Sequence, residues 1–276
     1  MKRGWLFFFF ILVCEIGISQ TINPAIKEII LALQQEHGGM QRWKKVKTLY
    51  FNHHIVFGTD STRQWWISRE MTELGTMRFY ETRPFEDATI VYNGNITWST
   101  NWKQSNPPAM LVNNHLLQQV LPFIATHPFV EISKEADNKL PGNDSVSFIT
   151  LKIRFKKEAN FDSAKYYRIF IHPVTYRMAG WEYNITHPLQ LKNISLPDSV
   201  KSLGPFINKI HSYTIVSGIL LPEKYDTYNP QGKISGNHLV LDYKLNEKFD
   251  EAMMQLPAEA IQDNTQREFK LFINNK

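Results

Sequence analysis

The side chains able to carry chemistry here are nine histidines, one cysteine and a scatter of acids and serines in a chain of 276 residues. A metal site asks for imidazoles at ligand spacing. No His-Glu-x-x-His run occurs, and His53 and His54 are neighbours that point to opposite faces if their segment is a strand. Read along the chain, the histidines do not assemble into a ligand set, and neither a metal nor another cofactor is expected. Acyl transfer asks for a serine on a Gly-x-Ser-x-Gly elbow, which is absent; Ser99 and Ser217 fall at hairpins without a recognisable base. Glycine-rich phosphate loops are absent too. The acid pairs Glu86-Asp87 and Asp250-Glu251 read as solvated charges at a loop and a helix start. The expectation is a protein that is not an enzyme.

What the chain holds in excess is aromatic. Phe, Trp and Tyr make up 13% of it, with seven tryptophans, enough to furnish both a core and a pocket. Trp66, Phe79, Tyr92, Trp98 and Trp181 are the candidates to line a ligand cavity, against the plainer reading that they pack the core. Rings with a few hydroxyls suit acyl chains or sugars. An acyl chain gains about 0.8 kcal/mol per buried methylene, so a dozen contribute roughly 10 kcal/mol with no hydrogen-bond chemistry at all.

Those side chains must be positioned by elements that the periodicity discloses. Asn23-Pro24 opens a helix, Ile26, Ile29, Ile30 and Leu33 give it an apolar stripe, and Gly38 ends it. His37 at that end reads as a cap facing the helix dipole. From Thr48 the period becomes two, with Leu49, Phe51, His53, Ile55 and Phe57 on one face. Ala88 to Thr100 predicts a hairpin with Asn93-Gly94 as its central pair, which sets Ile90, Tyr92 and Thr97 on one face and Val91 and Trp98 on the other. Asn106-Pro107 repeats the helix start. The stripe that follows, Val112, Leu116, Leu117, Val120 and Leu121, is expected to stop at Pro122. Alternating strands resume around Ile149 to Phe155, Tyr166 to Ile171, Trp181 to Ile185, Ile210 to Val216, Ile219 to Tyr228 and Leu239 to Leu245. A short helix near Phe249 to Leu256 and an edge strand at Phe269 to Ile273 complete the pattern. Helix, strands, helix, strands with hairpin-length links predicts an α+β, mainly β, antiparallel sheet.

The first residues are set apart from the fold. Lys2 and Arg3, the apolar run Trp5 to Val13, and Gly17-Ile18-Ser19 have the layout of a signal peptide over residues 1–19, leaving 20–276 as one exported domain. Cys14 invites an outer-membrane lipoprotein alternative, which Val13 before it disfavours. A net charge of +5, with basic residues scattered, does not fit a nucleic-acid surface; a weak attraction to lipid headgroups is compatible with it.

Several of these stretches occur together in a recognisable order: His37-Gly38-Gly39 with Trp43 soon after, Tyr92-Asn93-Gly94 closing on Trp98, His172-Pro173-Val174-Thr175, and Val216-Ser217-Gly218-Ile219-Leu220-Leu221-Pro222. The set resembles secreted proteins of Gram-negative bacteria related to the LolA/LolB-like periplasmic lipoprotein carriers. That resemblance implies a strongly curved, unclosed half-barrel with helices plugging its concave face. The expectation is then a periplasmic, monomeric binding protein whose partner is a lipid or lipoprotein acyl chain, with transient contact to a membrane surface. His172 stands where the related turn usually has Asp, and none of Arg42, Arg69 and Arg78 is a firm match for the arginine that helps keep the carriers' lid closed. The rival readings are an enzyme acting on envelope lipid or glycan, recognisable by carboxylates or a Ser-His pair meeting in the cavity, and a surface interaction module.

Overall fold

The computed structural model describes residues 23–58, 64–104, 107–159, 164, 166–193, 196–197 and 199–263. The expected signal peptide with Cys14, and the expected edge strand at 269–273, lie outside these. The chain opens with α1 (Pro24–Glu36), where the Asn23 side chain accepts from the Ala25 N–H at 2.9 Å. A single turn, α2 (Met40–Trp43), leads into β1 (Thr48–Phe57), β2 (Gln64–Glu73), β3 (Arg78–Arg83), β4 (Ala88–Tyr92) and β5 (Thr97–Thr100). Then comes α3 (Pro108–Ile124), followed by β6 (Val130–Lys134), β7 (Asn138–Leu140), β8 (Asn143–Phe155), β9 (Tyr166–Ile171) and β10 (Met178–Ile185). After α4 (Pro188–Asn193), three strands β11 (Leu203–Val216), β12 (Ile219–Tyr228) and β13 (Ile234–Leu245) precede the short β14 (Ile261–Asp263).

The fourteen strands among the described residues belong to one antiparallel sheet. Its order runs β14, β5, β4, β3, β2, β1, then β13, β12, β11, β10, β9, β8 and β6, with β7 paired to β8 off this path. The two halves are sewn together where β1 meets β13. β14 and β6 do not meet, so the sheet is an unclosed half-barrel, the α+β, mainly β, arrangement read from the sequence. Along β1 the alternation holds: Leu49, Phe51, His53 and Ile55 are buried while Tyr50, Asn52, His54 and Val56 are less so. One apolar cluster joins this concave face to α1 and α3 through Ile30, Leu33, Val112, Leu116, Leu117, Val120 and Leu121. The helices therefore plug the concave side.

Three local expectations change. The central pair of the β4–β5 turn is Gly94-Asn95 rather than Asn93-Gly94, because the Asn93 N–H donates to the Ile96 carbonyl at 3.2 Å. Gly94 alone takes a positive φ, 96°, and the Asn93 side chain accepts from the N–H groups of Asn95 and Ile96. Glycine first is the other favoured two-residue turn. Pairing moves by two residues, so every side chain keeps its expected face and Val91 sits opposite Trp98. Next, α3 runs through Pro122 to Ile124. A proline in the last turn removes one hydrogen bond, and the Pro122 carbonyl accepts from Gln34 Nε2 at 3.2 Å, tying α1 to α3. Finally, the predicted helix near Phe249 is a single 3-10 turn, Glu251–Met254.

His37 is the C-cap residue of α1, but its side chain does not face the helix dipole. It is buried, its Nε2 accepts from the Met178 N–H at 3.1 Å, and its Nδ1 donates to the Leu220 carbonyl at 3.0 Å. This is a neutral ring clamped between β10 and β12, and it explains why the His-Gly-Gly stretch and the Ser217-Gly218 turn belong together. Gly38 has φ +106°, and a Cβ there would stand 2.2 Å from the Gly218 carbonyl oxygen. Both the strain and the collision oppose a side chain. Gly38→Ala is expected to destabilise the fold by at least about 2 kcal/mol, read as a lower urea midpoint at unchanged slope. In the other quoted turn, His172 Nδ1 accepts from the N–H groups of Val174 and Thr175 at 3.2 and 3.3 Å. An imidazole thus does what an Asp carboxylate would do there.

Candidate functional site

The concave face is apolar at both ends and polar in the middle. Register sets the polar zone: Glu70 pairs with Phe51 and Glu81, and Ser68 with His53, so His53, Ser68, Glu70 and Glu81 share the inner face. Across β1 the same face carries His238 and Tyr225, paired with one another, and beyond them Thr227 and Asn208. From above, α3 contributes His115 and Gln119, both buried.

His53, Glu70 and His115 meet here, with one ligand-capable atom of each within 4.8 Å of the others. The reading that the histidines do not gather is therefore overturned. They are separated by tens of residues along the chain, and only the β1–β13 seam and the docking of α3 bring His53, His115 and His238 together. His115 Nδ1 lies 2.7 Å from Glu70 Oε1 and 3.9 Å from Glu81 Oε2. Ser68 Oγ donates to the same Glu70 oxygen at 3.1 Å. Arg83 Nε pairs with Glu81 Oε1, and the guanidinium is sandwiched 4.0 Å from the Trp66 ring and 4.3 Å from the Trp102 ring.

A hydrogen-bond chain fixes the other histidines. Thr227 donates to Asn208 Oδ1, so Thr227 Oγ1 accepts from His238 Nε2 at 2.8 Å. His238 Nδ1 then accepts from His53 Nε2 at 3.0 Å, leaving the lone pair of His53 on Nδ1, a buried atom with no hydrogen-bond partner. Burial, followed by the nearby histidine charges, holds His53 well below the ordinary imidazole range. Burial and then His115 pull His238 down to about 3. His115 differs: burial pushes it down, but the Glu70 and Glu81 carboxylates outweigh that and raise it. Burial raises Glu81 against the opposing pull of Arg83. The zone thus sets His115, raised by its carboxylate neighbours, beside two imidazoles that burial holds low.

Four of the five aromatic candidates look into this face. Phe79, Tyr92 and Trp181 are buried in the apolar cluster, Trp181 fully, and Trp66 flanks His115 with ring centroids 5.4 Å apart. Trp98 lies on the opposite face, sharing it with Val91, Tyr80 and Met71. Two open cavities elsewhere, of about 360 Å³ beside α4 and about 480 Å³ beside Gly38 and Arg42, are outside the concave face. Sequence reasoning did not single out Glu70, Glu81, Arg83, His115 or His238. A signal existed, since His53 interrupts an apolar face and His115 adjoins the apolar stripe of α3.

No protein family and no curated protein matches this chain in sequence. Solved structures do match in shape. A LolA superfamily protein from Nitrosomonas europaea superposes with a TM-score of 0.52 at 10% identity, over 83% of this chain and 97% of the other. A DUF1329 family protein from Desulfovibrio piger superposes with a TM-score of 0.54 at 9% identity, over 85% of this chain and 98% of the other. The fold is LolA-like. At such identities the likeness concerns architecture alone. Within this LolA-like fold the polar zone lies at the middle of the half-barrel, directly beneath α3.

Proposed function

We propose that the protein is a non-catalytic envelope carrier that shields a lipid or lipoprotein acyl chain between its half-barrel and α3, exported as residues 20–276. The observation that carries this reading is the make-up of the α3 contact. Val112, Leu116, Leu117, Val120, Leu121, Phe123 and Ile124 are buried there, but so are Asn113, His115, Gln118 and Gln119. The helix is tethered by polar pairs: His115 to Glu70, Gln119 to Tyr243 at 2.7 Å, and Asn114 to Tyr167. Each neutral tether is worth only about 1 kcal/mol net, because water replaces it when the contact opens. A contact with that many polar groups opens more readily than an all-apolar one of equal area.

Magnitudes define how α3 moves. Its seven apolar side chains are worth roughly 10–20 kcal/mol when buried, whereas a twelve-carbon chain contributes about 10 kcal/mol. One acyl chain does not replace the whole helix. The helix instead lifts on its tethers and lays its apolar stripe over the cargo, with Phe79, Tyr92 and Trp181 as the floor and Trp66 beside the polar zone. Native mass spectrometry of the purified protein, before and after incubation with phospholipid and lysophospholipid, tests this. One lipid per chain is expected; a protein that neither retains nor takes up lipid overturns the carrier reading.

A further inference from the structure

The polar zone holds more than tethers require. His53 is fixed through Nε2 by His238 and also faces the Tyr225 hydroxyl at 3.1 Å, which leaves Nδ1 bare and buried. Glu70 keeps one buried oxygen, Oε2, without a hydrogen-bond partner. His115 brings its Nδ1 to the other oxygen of Glu70, and the His53 and His115 rings stand nearly perpendicular with centroids 5.0 Å apart. We propose that His53, Glu70 and His115 bind one divalent transition-metal ion of the zinc class, clasping α3 to β1 and β2.

Two imidazoles and one carboxylate are a donor set suited to such an ion, and they leave a fourth position for water or cargo. Donors at about 2.0–2.2 Å from a tetrahedral ion stand roughly 3.3–3.6 Å from one another. The three donors already lie within 4.8 Å, so the ion needs only side-chain adjustments on the order of 1 Å. The supporting contacts are in place as well. His238, held by Thr227, sets the tautomer of His53, and Ser68 holds Glu70, the outer contacts that orient metal ligands in other sites. An ion here joins a helix to two strands far away in sequence, which hydrogen bonds to water-competing groups do less firmly. The clasp rests on donor chemistry and geometry, and does not depend on the cargo being a lipid.

Cobalt(II) titration of chelator-treated full-length protein tests it, with the ligand-field absorption and calorimetry as readouts. One equivalent per chain with a four- or five-coordinate spectrum is expected. Glu70→Gln and His53→Gln should each weaken binding by about 10-fold or more, while His211→Gln, at an exposed histidine, should leave it unchanged. Circular dichroism verifies that each variant is folded. Should the ligand variants fail to fold, zinc-edge X-ray absorption of the wild-type protein decides the matter: two imidazole shells support the site. Absence of stoichiometric binding, a spectrum without imidazole, or folded ligand variants that bind like the wild type overturn it.

Discussion

Lowering the pH from about 7.5 to about 5 is expected to remove about 2 kcal/mol of stability through His37 alone. Burial, only partly offset by its bond to Leu220, lowers this ring from 6.5 to about 4 in the folded protein. Its Nε2 is occupied by the Met178 N–H, so a proton added there breaks the clamp between β10 and β12. The unfolded chain, with an ordinary imidazole, takes up that proton first. A lowered histidine therefore stabilises fully above pH 6.5, and the contribution fades as the pH falls from 6.5 towards 4. His53 and His238 act in the same direction, whereas His115, held up by Glu70, acts in the opposite one. His37→Gln isolates the effect, because an amide can accept and donate at the same two places without titrating. Urea unfolding of both proteins at the two pH values should show a smaller loss in the variant by about 2 kcal/mol. Equal losses would remove the neutral clamp from the account.

Replacing Arg83 should have a still larger effect. Glu81 is fully buried, and Arg83, 1% exposed, is its cationic partner. Arg83→Met keeps much of the stem between Trp66 and Trp102 but leaves the carboxylate unpaired, close to His115 and on the same inner face as Glu70. Removing one partner of a buried pair costs about 3–5 kcal/mol, mostly as the penalty on the charge left behind. The deficit should shrink at lower pH, since Glu81 already has a raised pKa and protonation cancels the stranded charge. Arg83→Met with Glu81→Gln should recover more than half of the loss. Denaturant midpoints of the two singles and the double form the cycle. Strict additivity, or a single-variant cost under about 1 kcal/mol, would show that the pair is energetically idle.

These two effects arise from groups that sequence reading treated very differently. His37 was visible as the residue that ends α1, yet the role of its side chain was misread, because its partners Met178 and Leu220 are far along the chain. Arg83 looked like any strand-end cation. Nothing local distinguishes it from Arg69 or Arg78, and the two tryptophans around it come from β2 and from the segment before α3.

Local rules decided a good deal by themselves. Alternation along β1, the apolar stripes of α1 and α3, the Asn-Pro start at Asn23 and the glycine at position 94 specify elements and faces, since backbone geometry and side-chain period act over a few residues. With hairpin-length links they also specify an antiparallel α+β sheet with helices against it. The pairing of β1 with β13, by contrast, depends on strands almost two hundred residues apart, and no short-range period encodes it. That seam, with α3 laid across it, is what gathers His53, His115 and His238 around Glu70. Long-range closure concentrated the polar chemistry under the helix, because inward positions from β1, β2, β3, β12 and β13 converge there.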